Sequence, residues 1–159
     1  MKKSIRKVAF LAGSLVATVI SSSASLEKTA SAEIQPMVVQ QFFEEAKKNT
    51  NWKMAFATGK SEQIVFMNIS PFTNPNNEIG VEVHSFDQVI LIVEGKGKVE
   101  MNGKMTMVKN GDMIFIPEGT SHNVINLAQN KALKLISFYS DTDIPNGAIY
   151  KKKADHIED

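Results

Sequence analysis

From Trp52 to Tyr139 the chain alternates short apolar, β-branched and aromatic runs with clusters of turn-forming residues. The punctuation is Thr58-Gly59-Lys60, Ser70-Pro71 through Asn77, Glu94-Gly95-Lys96-Gly97, Asn102-Gly103, Asn110-Gly111, Pro117 to Gly119 and Ala128-Gln129-Asn130. Runs of this kind between such breaks are strand signals. They predict strands near 52–57, 62–69, 78–84, 87–93, 97–101, 104–108, 113–116, 122–127 and 132–140. Asn102-Gly103 is the strongest hairpin signal, because a two-residue type I′ turn needs positive φ at both central positions. Ahead of the strands the period changes. Pro36 suits a first helical turn, and Met37, Val38, Phe42, Phe43 and Ala46 then fall near one helical face, with Asn49, Thr50 and Asn51 ending the helix. Short antiparallel strands must close on themselves or stack as two sheets to bury their apolar faces and hide their edges. The expected fold is therefore all-β, a barrel-like sandwich with one N-terminal helix packed outside it or across one end.

The first residues read as an address. Lys2, Lys3, Arg6 and Lys7 form a positive head, Val8 to Ile20 is an apolar run, and Ser21-Ser22-Ser23-Ala24-Ser25 is a stretch of small residues. A membrane-spanning helix needs roughly 20 apolar residues, which this run does not reach, and the pattern matches a secretory signal peptide. Residues 1–24 are expected to be the signal, or 1–32 if cleavage follows Ala30-Ser31-Ala32. Residues 25–35 then form a linker and 36–159 a single domain. Such a protein is periplasmic or secreted and meets no membrane once the signal is removed.

Charge and composition narrow the chemistry. The whole chain holds 18 Lys+Arg and 17 Asp+Glu; the four cations of residues 1–24 have no acid among them, which leaves 14 against 17, or −3, for the rest. A slightly acidic domain has no electrostatic footprint for nucleic acid. The chain has no cysteine, which excludes disulfides, thiolate metal sites and a thiol nucleophile.

Two segments remain as candidates for chemistry. In Glu82-Val83-His84-Ser85-Phe86-Asp87-Gln88, the residues Glu82 and His84 stand two apart on a predicted strand, so their side chains share a face. Gln88 opens the next strand and can face His84. In Gly111-Asp112-Met113-Ile114-Phe115-Ile116-Pro117-Glu118-Gly119-Thr120-Ser121-His122-Asn123-Val124-Ile125-Asn126, a strand ends at Pro117, turns through Gly119, and His122 starts the returning strand. If both hairpins belong to one barrel, Glu82, His84, Gln88 and His122 converge in its mouth. Two imidazoles, a carboxylate and an amide oxygen suit one divalent ion of Mn, Fe, Co, Ni or Zn, and not calcium, which takes oxygen ligands only. No second carboxylate or lysine stands out as a general base. Phe86, Phe115, Tyr139 and Trp52 are expected to fill the core, Asn126 to bond at a strand end, and His156 in Lys151-Lys152-Lys153-Ala154-Asp155-His156 to be solvated. Asp87 either orients a ligand or sits in the turn.

These segments resemble the two motifs of the cupin superfamily. The second motif is complete at Gly111, Pro117, Gly119, His122 and Asn126. The first keeps its spacing but not its residue types: Asn76 stands at its opening Gly, Glu82 at its first His, His84 at its second, Gln88 at its Glu, and Gly95 at its closing Gly. Within the superfamily the chain is similar to small single-domain members of the mannose-6-phosphate-isomerase-like branch. The resemblance implies a jelly-roll β-barrel with a divalent metal in its mouth, a small-molecule ligand or substrate, and often a homodimer. A metal-dependent enzyme (dioxygenase, isomerase or lyase) and a non-catalytic metal- or ligand-binding module both fit that outline, as does a structural barrel whose site has decayed.

Overall fold

The computed structural model describes residues 35–156. The segment read as a signal peptide, and all but the end of the linker, lie outside the described residues. Eight of the expected strands form within about two residues of their predicted bounds: β1 (Lys53–Thr58), β2 (Gln63–Ile69), β3 (Gln88–Glu94), β4 (Lys96–Met101), β5 (Lys104–Lys109), β6 (Met113–Ile116), β7 (His122–Asn126) and β8 (Leu133–Tyr139). Asn102 and Gly103 take φ of 49° and 80°, and Met101 pairs with Lys104 across them, as a type I′ hairpin requires. A two-residue strand, β9 (Ile149–Tyr150), pairs with Met54 and Lys53 and is too short to leave a periodic signal.

The strands roll into two antiparallel sheets, ordered β6-β3-β8-β2-β1-β9 and β5-β4-β7, and the fold is a jelly roll. Alternation decides the core. Val65, Met67, Ile90, Ile92 and Leu135 from the large sheet meet Val99, Val108 and Val124 from the small one, and each fully buried aliphatic side chain contributes about 1.5–3 kcal/mol. The opposite face of the large sheet carries Phe66, Val93 and Ile136, flanked by Phe56 and Phe138, and it is covered by helix α1 (Phe42–Lys48) through Phe42 and Ala46. Phe42 packs 5.4 Å from the Phe66 ring and 5.6 Å from Phe56. The helix is shorter than the pattern from Pro36 predicts. Gln41 takes a left-handed backbone (φ 53°) and starts the helix late, so Met37 and Val38 stay exposed and Phe43 is half exposed.

The expected strand 78–84 is not continuous, and the reason bears on the site. It pairs with β7 only at Glu78–Ile125 and Glu82–His122. Four steps on one chain face three on the other, so one residue is extra: a β-bulge. Gly80 occupies it at φ 112°, a backbone conformation that costs glycine little, and its N–H donates to Asn123 Oδ1 at 3.0 Å. Ile79, before the bulge, is buried in the core. After it the phase is inverted: Val81 and Val83 are 70% and 60% exposed, while the side chains of Glu82 and His84 are only 9% and 12% exposed. Lys153 pins the bulge from outside by donating to the Glu78 carbonyl at 3.2 Å. Substituting Gly80→Ala is expected to cost about 1–3 kcal/mol, the strain of a side chain at positive φ, measured as a lowered urea midpoint; an unchanged midpoint would show that the bulge tolerates a Cβ.

Candidate metal centre

Inverting the phase brings Glu82 opposite His122, the first residue of β7, and the two exchange backbone hydrogen bonds of 2.9 and 3.0 Å. His84 follows two residues on, so its imidazole enters from the same side. The donor atoms of Glu82, His84 and His122 lie within 4.8 Å of one another. Glu82 Oε2 is 3.4 Å from His84 Nε2 and 3.8 Å from His122 Nε2. Ligand atoms on one ion at about 2.1 Å are about 3–4.2 Å apart, so these two separations already suit a common centre.

The imidazoles are prepared for it. His122 Nδ1 donates to the Thr120 carbonyl at 2.9 Å, which leaves the Nε2 lone pair free. Both Nε2 atoms are buried without a hydrogen-bond partner. Burial is the largest influence on His122 and holds its pKa below the ordinary 6.5, so it is neutral at neutral pH and able to ligate. His84 stacks on Phe86 (4.9 Å between centroids, 8° between planes) and meets the edge of Tyr139 at 5.4 Å. Tyr139 and Trp52 lie in the core, as expected, and Phe86 packs against it; Phe115 is instead half exposed on the outer face of β6.

Gln88, the fourth predicted donor, is buried at the first residue of β3. Its amide nitrogen donates to Ser137 Oγ at 3.1 Å, and its Oε1 has no hydrogen-bond partner. Asp87 belongs to the turn: its Oδ1 accepts from Glu118 N–H at 2.9 Å, tying the two motif hairpins together. Asn126 is structural, its amide donating to the carbonyls of Ile69, Ser70 and Lys131. His156, expected to be solvated, is half-buried and packs against Trp52 and Tyr150, with centroids 5.4 and 4.8 Å away.

Two charged residues at the centre escaped the sequence reading, which found no further carboxylate or lysine. Lys53 of β1 is 1% exposed and lies 2.8 Å from Asp143 Oδ2 and 3.6 Å from Glu82 Oε1. Asp143 Oδ1 is 3.7 Å from His84 Nδ1. Burial pulls the Lys53 ammonium down, but Tyr139, Glu82 and Asp143 outweigh it and hold its pKa above the ordinary range. Burial likewise works against the Glu82 carboxylate, yet the His84 imidazole beside it, the Lys53 ammonium and the neighbouring His122 bring its pKa down to about 2. Lys53, Glu82, His84 and Asp143 line a cleft of about 460 Å³ walled by Val81, Val83, Ile144 and Pro145. Of the three donor residues, Glu82 and His84 face that cleft.

The family described as "Cupin domain" matches residues 73–139. The chain is 34% identical over 118 residues to the uncharacterized protein YrkC of Bacillus subtilis, covering 70% of this chain and 61% of that one. An uncharacterized protein of Acanthamoeba polyphaga mimivirus is 31% identical over 110 residues, covering 67% and 66%. The chain thus spans somewhat under two thirds of the length of these relatives. The crystal structure of BH2720 from Bacillus halodurans is similar with a TM-score of 0.70 and 34% identity, over 76% of this chain and 92% of that one.

The low pKa of Glu82 has a consequence for acid stability. A carboxyl held at about 2 instead of 4.5 stabilises the fold above pH about 4.5, and that contribution is lost as pH falls toward 2. In metal-free protein, the stability advantage of the wild type over Glu82→Gln should narrow across that window in urea titrations. A constant difference would contradict the assigned environment of Glu82.

Proposed function

The chain belongs to the cupin family, and on that premise we propose that it is a divalent-metal-dependent enzyme acting on a small polar molecule, with Glu82, His84 and His122 as the metal ligands. One observation carries the reading: two buried imidazole Nε2 atoms without hydrogen-bond partners face the same carboxylate oxygen. Unpaired buried polar atoms are costly, and a cation shared by the three donors removes the cost at once. Two nitrogens and a carboxylate oxygen suit Mn, Fe, Co, Ni or Zn. When bound, the ion supplies Lewis-acid polarisation of a carbonyl or enolate oxygen.

The rest is done by the chain itself. Thr120 keeps the proton of His122 on Nδ1, so Nε2 remains a donor. Phe86 and Tyr139 restrict the His84 ring to one plane. The 460 Å³ cleft admits a small molecule between Val81, Val83, Ile144 and Pro145 and brings it against Lys53 and Asp143. Gln88 Oε1 serves as a fourth ligand or as an acceptor for the substrate. A second reading follows from the donor set: two His and one carboxylate with open positions is the set used by non-haem iron oxygenases, which would make dioxygen a co-substrate. The proposal includes export, supported by the basic head and 13-residue apolar run of Val8 to Ile20.

Metal analysis of protein purified from its native compartment without a His-tag tests this. The wild type should carry close to one ion per chain and His122→Ala none. Excess Mn²⁺, Fe²⁺ or Zn²⁺ at about 100 times Kd should stabilise the wild type by about 2.7 kcal/mol, about 5–10 °C in Tm for a domain of this size, and leave His122→Ala unmoved. Metal-free wild type whose melting ignores all three ions would overturn the assignment. A panel of keto-acids, sugars and phenols, with oxygen uptake recorded, then separates catalysis from a binding module; turnover of none favours the module.

A further inference from the structure

Lys53 and Asp143 are outside the family motifs, yet they touch two of the three donors. Glu82 divides its oxygens: Oε2 faces the imidazoles, while Oε1 lies 3.6 Å from Lys53 Nζ. Lys53 is anchored by Asp143 at 2.8 Å, and its backbone is held in β1 between β2 and β9. Asp143 is itself fixed by a buried glutamine. Gln63 Oε1 accepts from the N–H groups of Asp143 and Ile144, each at 3.0 Å, and Gln63 Nε2 donates to the Ile144 carbonyl at 2.7 Å. A chain of fixed contacts therefore runs from Gln63, the first residue of β2, through the 141–145 loop to Lys53 and on to Glu82. Asp143 Oδ1 also stands 3.7 Å from His84 Nδ1, on the ring edge away from the donor atom.

We propose that Lys53 and Asp143 are the positioning residues of the metal centre: Lys53, anchored by Asp143, engages Glu82 Oε1 so that Glu82 offers a single oxygen to the ion, and Asp143 orients His84 from its Nδ1 side. A carboxylate free of such a partner can bind an ion through both oxygens. One that is shared with an ammonium keeps a coordination position open for a second ligand. This role rests on Glu82, His84 and His122 being the ligands. Its sign is distinctive. A cation beside the ligand opposes a second cation by Coulomb's law, so if Lys53 acted only as a charge, removing it would tighten metal binding. If it positions Glu82, removing it loosens binding and changes the coordination number.

Titration of the metal-free full chain with Co²⁺, read by visible d–d absorption, distinguishes these. Lys53→Met should weaken Co²⁺ binding about tenfold, as loss of an outer partner typically does, and reduce the band intensity about twofold as coordination rises. Near-UV circular dichroism checks that the variant folds. If it does not, Asp143→Asn, which keeps the backbone bonds to Gln63, is read instead by its band intensity, which should fall in the same way; its affinity drops on charge grounds alone. A Co²⁺ spectrum abolished by His122→Ala but untouched by the variant read, with affinity equal or tighter in the case of Lys53→Met, overturns this role alone. A spectrum that His122→Ala leaves intact overturns the ligand assignment and this role with it.

Discussion

The pairing of residues 78–82 with β7 carries one residue more than its partner strand, and nearly everything at the centre follows from that extra residue. Side chains on a strand alternate with period two, so a single insertion exchanges the two faces. Ile79 enters the core before the bulge; Glu82 and His84 enter after it, and the two valines that would otherwise compete for the interior are turned out. The pairing of Glu82 with His122 then sets a carboxylate beside the imidazole that the second hairpin delivers. Gly80 makes this possible because its backbone accepts φ 112° without a side chain to clash.

Turning a carboxylate inward creates an electrostatic problem, and the fold solves it locally. An isolated ionised group in an apolar interior is expensive unless it is paired. Glu82 has Lys53 on one oxygen and two imidazoles on the other; Lys53 has Asp143 as a second counter-ion. The centre thus combines groups that keep their charge with imidazoles that can give a lone pair. This is the balance a metal site needs, since protons and metal ions compete for the same donors.

The scaffold around the centre is tied at points remote from the chemistry. Asn126 gathers three carbonyls at the end of β7, Gln63 holds the loop that carries Asp143, Asp87 joins the two motif hairpins, and Lys153 reaches back to the bulge. Buried polar networks that satisfy their members rigidify a structure, and here they fix the segments from which the donors project. Two of the apolar cleft walls are the valines expelled by the bulge, so the same inversion builds both the donor set and part of the entrance.

Strand positions, the Asn102-Gly103 hairpin, and the membership of Glu82, His84 and His122 in one site were legible in the sequence, because turn residues, period-two alternation and motif spacing are local properties. Lys53 was legible in principle: it shares the inward phase of β1 with Ala55, an unusual place for a lysine. Asp143 was not, since it lies on an irregular segment with no period to read, and only the rolled sheets bring it 2.8 Å from Lys53. Helix length was misread because the apolar spacing from Met37 onward carries no mark of the left-handed turn at Gln41. By itself the sequence determined that Glu82 and His84 share a face; which face, the core or the solvent, was decided by the tertiary structure. Hydrophobicity alone would have buried Val81 and Val83, and it was overruled by a register that depends on hydrogen bonds to a strand some forty residues further along the chain.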